Sequence, residues 1–195
     1  ESNLPYEKID FTLPAQIDID GTYSPSITPL SELDDDIYEY KWLIENTEVS
    51  YVKNPTLLFK TGGIKTVTFH VDVKSGKTPT FAPVNGWSIS KNIFVGQSNP
   101  SFPYKRIDFQ IAESANLGDS ISPQISPNDY LDETIYDFSW KLNGRQVDTK
   151  KLPTINLTTG GINTVSVEVS LKPGERSTFP NISFLNIQTL TPITP

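Results

Sequence analysis

His70 is the only imidazole in the chain, so any histidine general base or Ser-His-Asp arrangement has to be assembled around it. It stands within Val67-Thr68-Phe69-His70-Val71-Asp72-Val73, on the polar side of an alternating run, where the plain alternative is a solvent-facing strand residue. Its neighbourhood carries no nucleophile signature. Gly-x-Ser-x-Gly, phosphate-loop and dinucleotide glycine patterns are all absent from the sequence. Cysteine is also absent, which excludes disulfides, thiolate nucleophiles, iron–sulfur clusters and Cys-ligated zinc. With one histidine, no multi-His metal site forms within a single chain.

Two other groups of residues have the types that binding requires. Glu32, Asp34, Asp35 and Asp36 form an acidic run, echoed more thinly by Asp129, Asp132 and Glu133. Ca²⁺ takes six to eight oxygen ligands, and clustered carboxylates supply several; the alternative is an ordinary solvated loop, and EF-hand spacing is missing. Trp87, with Tyr23, Tyr51 and Phe94, has the composition of a flat aromatic face for a sugar ring. The competing reading packs Trp87 in a core. Asn156-Leu157-Thr158 and Asn181-Ile182-Ser183 fit the N-glycosylation acceptor pattern, which arises often by chance.

The elements that would position these residues follow from a duplication. Pro5-Tyr6-Glu7-Lys8-Ile9-Asp10-Phe11 returns as Pro103-Tyr104-Lys105-Arg106-Ile107-Asp108-Phe109, a shift of 98. Thr61-Gly62-Gly63-Ile64 returns as Thr159-Gly160-Gly161-Ile162 at the same shift, and about thirty identities accumulate without a gap. A repeat this long has the size of an independent domain, not of a solenoid unit. We therefore expect domains over 1–97 and 98–195, with a proline-containing seam near Gly96 to Pro103.

Within each copy the hydrophobic period is two. Tyr38, Tyr40 and Trp42 alternate with Glu39 and Lys41, and Val67, Phe69, Val71 and Val73 alternate with Thr68, His70 and Asp72. No window sustains a helical period. The first copy is expected to carry strands over 7–13, 16–22, 37–44, 56–60, 64–74 and 88–95, and Asn143-Gly144 marks a tight hairpin in the second. Short strands at this spacing, with a Trp on a middle strand, point to an all-β chain of two tandem immunoglobulin-like β-sandwiches. Since residues common to both copies are most simply explained by the shared fold, a site confined to one copy is the better functional candidate.

The pattern Tyr38-x-Tyr40-x-Trp42 with Gly63…Val67-x-Phe69-x-Val71, and its counterpart Tyr136-x-Phe138-x-Trp140 with Gly161…Val165-x-Val167-x-Val169, resembles the PKD domain. The likeness extends to PKD-like repeats of bacterial surface lipoproteins and covers the central ~40 residues of each copy. The family's Trp-Asp-Phe-Gly-Asp-Gly turn is replaced here by Trp42-Leu43-Ile44-Glu45-Asn46 and Trp140-Lys141-Leu142-Asn143-Gly144. The resemblance implies a non-catalytic, extracellular, cell-surface or periplasmic module. The gap-free repeat, without a site-like cluster of residues, points to a spacer or protein-interaction segment beside neighbouring domains of a larger protein; the alternative is an adhesin or glycan-binding accessory module using aromatics of the first copy. A chain that begins Glu-Ser-Asn and contains no methionine is expected to be a piece of a longer product. Its net charge of −7 argues against nucleic-acid partners, and nothing approaches the length of a membrane span. The first copy carries −5 of that charge, from 8 basic and 13 acidic side chains over residues 1–98.

Overall fold

The computed structural model describes residues 9–28, 33–80, 86–97, 106–112, 114–126, 128–177 and 184–194. The chain divides into two compact units, Glu1–Gln97 and Ser98–Pro195. In unit 1 the strands are β1 (Asp10–Phe11), β2 (Gln16–Ile17), β3 (Gly21–Tyr23), β4 (Ile27–Thr28), β5 (Tyr38–Ile44), β6 (Thr47–Ser50), β7 (Leu57–Phe59), β8 (Gly63–Val73) and β9 (Trp87–Val95). Unit 2 repeats them as β10 (Asp108–Gln110), β11 (Ala115–Asn116), β12 (Ser120–Ile121), β13 (Gln124–Ser126), β14 (Tyr136–Leu142), β15 (Arg145–Asp148), β16 (Ile155–Asn156), β17 (Gly161–Leu171) and β18 (Phe184–Thr194). Among the described residues one 3₁₀ turn, Asn128–Tyr130, lies between β13 and β14.

Each unit has two layers. In unit 1 β6, β5, β8 and β9 pair antiparallel in that order, and β2 adds to β9 in parallel. The facing layer consists of β1 paired with β4 and β3 paired with β7, all antiparallel. Phe11 of β1 meets Trp42 of β5 edge-on at 5.2 Å between ring centroids, so the layers close on one another through aromatic contacts. Trp42 lies against Phe69 of β8 at 4.4 Å. Unit 2 has the same pairings, and Phe109 meets Trp140 at 5.1 Å. A chain that crosses between sheets near its start, and there pairs in parallel with its last strand, builds an immunoglobulin-like sandwich. Both units have that architecture.

Alternation dictates burial. Tyr38, Tyr40 and Trp42 are buried while Glu39 is exposed, and Val67, Phe69 and Val71 are fully buried between half-buried polar neighbours. The indole nitrogens of Trp42 and Trp140 donate to the carbonyls of Val52 (3.2 Å) and Lys150 (2.9 Å), satisfying the one polar atom each ring carries into the core.

The strand expected over 16–22 is two strands belonging to different layers. Asp20, at φ +61°, and the Gly21 amide donating to the Asp18 carbonyl make the turn that moves the chain across. Hairpin β5–β6 was expected in neither position nor chemistry, because its turn is Glu45-Asn46 where the second copy has Asn143-Gly144. Both turns use two left-handed residues: Glu45 and Asn46 at φ +51° and +63°, Asn143 and Gly144 at +51° and +80°. That geometry suits Asn-Gly and strains glutamate, whose Cβ crowds the backbone. The strain is offset by a side-chain bond, Glu45 Oε1 accepting the Thr66 amide at 2.5 Å, as Asn143 Oδ1 accepts that of Thr164 at 2.9 Å. Glu45→Asn keeps an acceptor and removes the strain. It is expected to stabilise unit 1 by about 0.5–1 kcal/mol, read as a higher denaturant midpoint at unchanged slope.

Candidate functional site

The polar face of β8 and β9 is an ordered ladder. Residues paired across the two strands also bond through their side chains: Thr66 to Asn92 (3.0 Å), Thr68 to Ser90 (2.8 Å) and His70 to Ser88 (2.5 Å). His70 therefore closes a row of cross-strand polar pairs. Its other ring nitrogen, Nε2, lies 2.7 Å from Asp72 Oδ2, and Asp72 Oδ1 accepts the Gly86 amide at 2.6 Å. The imidazole is held on both sides.

Ser88, His70 and Asp72 thus have the composition of a nucleophile, base and orienting acid. Strand β8 is paired along both edges, with β5 and with β9, so its own amides around His70 are committed to the ladder. What the arrangement does supply is a fixed imidazole on an open sheet face.

Beside it lies a cleft of about 320 Å³ lined by Glu39, Tyr40, Lys41, Tyr51, His70 and Asp72. Lys41 is the cross-strand partner of His70, and its ammonium lies 2.8 Å from Glu48 Oε1. The Tyr51 hydroxyl donates to Glu48 Oε2, and the Tyr51 ring is 63% exposed. Hydrogen bonding to Lys41 and then to Tyr51 holds the Glu48 carboxyl below the usual range. The same contact with Glu48 raises both the Lys41 ammonium and the Tyr51 phenol. Tyr40 is pushed up chiefly by burial, and its hydroxyl donates to the Leu33 carbonyl at 3.0 Å.

None of the six lining residues recurs in the second copy. At the shift of 98 their positions hold Asp137, Phe138, Ser139, Thr149, Glu168 and Ser170. In unit 2 the histidine position is filled by Glu168, paired with Lys141 at 2.5 Å. The side chains that line the cleft are particular to unit 1.

The expected aromatic platform needs correcting. Trp87 opens β9 and is 1% exposed, so its ring is core and presents no face to a sugar. Tyr23 sits on β3 in the opposite layer, with its hydroxyl on Thr12 Oγ1 at 3.0 Å. Phe94 is half-buried on β9. Of that group only Tyr51 reaches the cleft, and the structure does not gather the others around it.

The acidic run builds a turn. Asp34 Oδ1 accepts the Asp36 amide at 2.8 Å, and its carbonyl accepts the amides of Ile37 and Tyr38. Asp132, the matching residue, does the same with Thr134, Ile135 and Tyr136, which makes this a feature of the shared fold. Asp35 faces Lys53 at 3.9 Å, and its carbonyl accepts from Lys74 at 2.5 Å. Asp36 is exposed, and Glu32 lies outside the described residues. Among the described residues no group of three or more His, Asp or Glu is placed to share a metal ion. Of the two glycosylation patterns, Asn156 is exposed and accepts from Ser120 Oγ at 2.7 Å, while Asn181 lies outside the described residues.

No protein-family model matches the chain, and no curated protein matches it. Among solved structures it is similar to the fibronectin(III)-like modules of Clostridium thermocellum CbhA, at 9% identity and a TM-score of 0.33, over 95% of this chain and 94% of that one. It is also similar to an ICAM-5 D1–D4 ectodomain fragment, at 10% identity and a TM-score of 0.34, over 96% of this chain and 53% of that one. Scores this low carry no argument, and the immunoglobulin-like assignment rests on the strand pairings and layers.

Proposed function

We propose that this chain is a non-catalytic tandem module of a larger cell-surface, secreted or periplasmic protein, of PKD-like type, that spaces and presents the domains beside it. The observation that supports this is the gap-free duplication, in which β5, β6 and β8 return as β14, β15 and β17 at an unvaried shift of 98. A repeated scaffold adds reach whatever its surface carries. An acidic surface suits that role, since like charge resists nonspecific association. The test is to replace residues 1–97 by a second copy of 98–195 in the full-length protein. A spacer keeps surface display and reach after the exchange, because length is preserved. Lost function with intact display instead assigns a specific task to unit 1.

A second reading is favoured by the cleft whose lining residues are found in unit 1 and replaced in unit 2. There the module is also a recognition element, with its contacts on the sheet face of β5 and β8.

A further inference from the structure

We propose that the unit 1 cleft binds a neutral pyranose ring, with Tyr51 as the stacking surface and Asp72 and Glu39 as hydroxyl acceptors. This rests on reading unit 1 as a recognition element and names the ligand class of that site.

Four observations carry it. The Tyr51 ring is largely exposed, yet its hydroxyl is tied to Glu48, so the ring is held as a platform before any ligand arrives. An aromatic face packs against the apolar face of a sugar, and little entropy is lost when the ring is already fixed. The polar groups around it are likewise held: Lys41 by Glu48, His70 by Ser88 and Asp72, and Asp72 by the Gly86 amide. Carboxylate oxygens keep a second lone pair for a neighbouring hydroxyl, while the imidazole, engaged at both nitrogens, holds Asp72 in place.

Size and charge narrow the class. About 320 Å³ lies at the small end of the ~300–1,000 Å³ range of ligand pockets, which suits one ring and not an extended chain. Lys41 is neutralised by Glu48, leaving the Glu39 and Asp72 carboxylates facing the cleft beside His70. Such a site repels sialylated or sulfated sugars. The second copy, with Thr149 for Tyr51 and Glu168 for His70, lacks both the platform and the imidazole, and serves as an internal control.

The experiment titrates the isotopically labelled chain with glucose, galactose, mannose and N-acetylglucosamine, following amide shifts, alongside an array of neutral and acidic glycans. Saturable shifts at Tyr51, His70 and Lys41 with at least one neutral sugar are expected. Tyr51→Ala should weaken binding about tenfold and Tyr51→Phe by no more than about threefold, with Thr149→Ala without effect. Because Tyr51 is exposed, the alanine variant should melt as the parent does. His70→Gln supplies a second variant that keeps a polar side chain. Silence of both titration and array overturns the proposal, as does preference for acidic glycans or shifts confined to unit 2. If the domain exchange abolishes function while these sugars fail to bind, the recognition reading stands and the ligand class falls.

Discussion

Trp42→Ala is expected to cost unit 1 about 3–5 kcal/mol, and Trp140→Ala the same in unit 2. Each indole is fully buried and sits where the two layers meet, against Phe11 and Phe69 in the first unit and against Phe109 in the second. Truncation removes the transfer free energy of the ring, leaves a void that neighbouring strands are too well paired to fill, and strands the carbonyl of Val52 or Lys150 that the indole nitrogen had satisfied. Native-state hydrogen exchange gives the readout strand by strand. Protection along β5 and β8 should fall by that amount in Trp42→Ala, and along β14 and β17 in Trp140→Ala. A loss below about 1 kcal/mol would show that the layers are not held by these rings.

Trp87→Ala is expected to be nearly as damaging, at about 3–5 kcal/mol, because Trp87 is buried at 1% and pairs with Val71 at the start of β9. Trp87→Leu should recover part of the loss, since leucine is apolar and keeps more of the volume, and Leu185 occupies the matching position of the second copy. Urea melts of both variants separate the outcomes. If alanine at this position left stability unchanged and abolished binding of a ligand, the indole would be a recognition residue after all.

The contrast between Trp87 and Tyr51 shows what a sequence can and cannot convey. Strands β5 and β8 were legible because apolar residues alternate without a break from Tyr38 to Trp42 and from Val67 to Val73. Their burial follows from the pleat alone. Strand β9 was legible in extent, but not in which face counted: Trp87, Ile89, Ser90, Asn92 and Ile93 are all buried, so periodicity there is blurred by polar side chains that bond across to β8. An unmatched tryptophan stood out in the comparison of copies, yet a difference between copies registers core substitution as readily as a site. The cleft was hidden for another reason. Its residues come from β5, β8 and the segment after β6, and only cross-strand register brings Lys41 opposite His70. The available signal was the simultaneous change of Glu39, Tyr40, Lys41, Tyr51, His70 and Asp72 between copies, which means little until the strands are laid side by side. Hairpin β5–β6 was missed because Glu45-Asn46 lacks the glycine that announces such a turn.

The parallel pairing of β2 with β9 bears on how a unit would behave under load. Gln16 is opposite Phe94 and Ile17 opposite Val95, and the Gln16 side chain adds a bond to the Gly96 carbonyl at 2.8 Å. These strands lie near the start and end of the unit, and they run the same way. Tension along the chain pulls one backward and the other forward, so their bonds are sheared together instead of being unzipped one at a time. A stalk made of such units resists extension at the contact between its first and last strands, and β11 against β18 gives unit 2 the same lock.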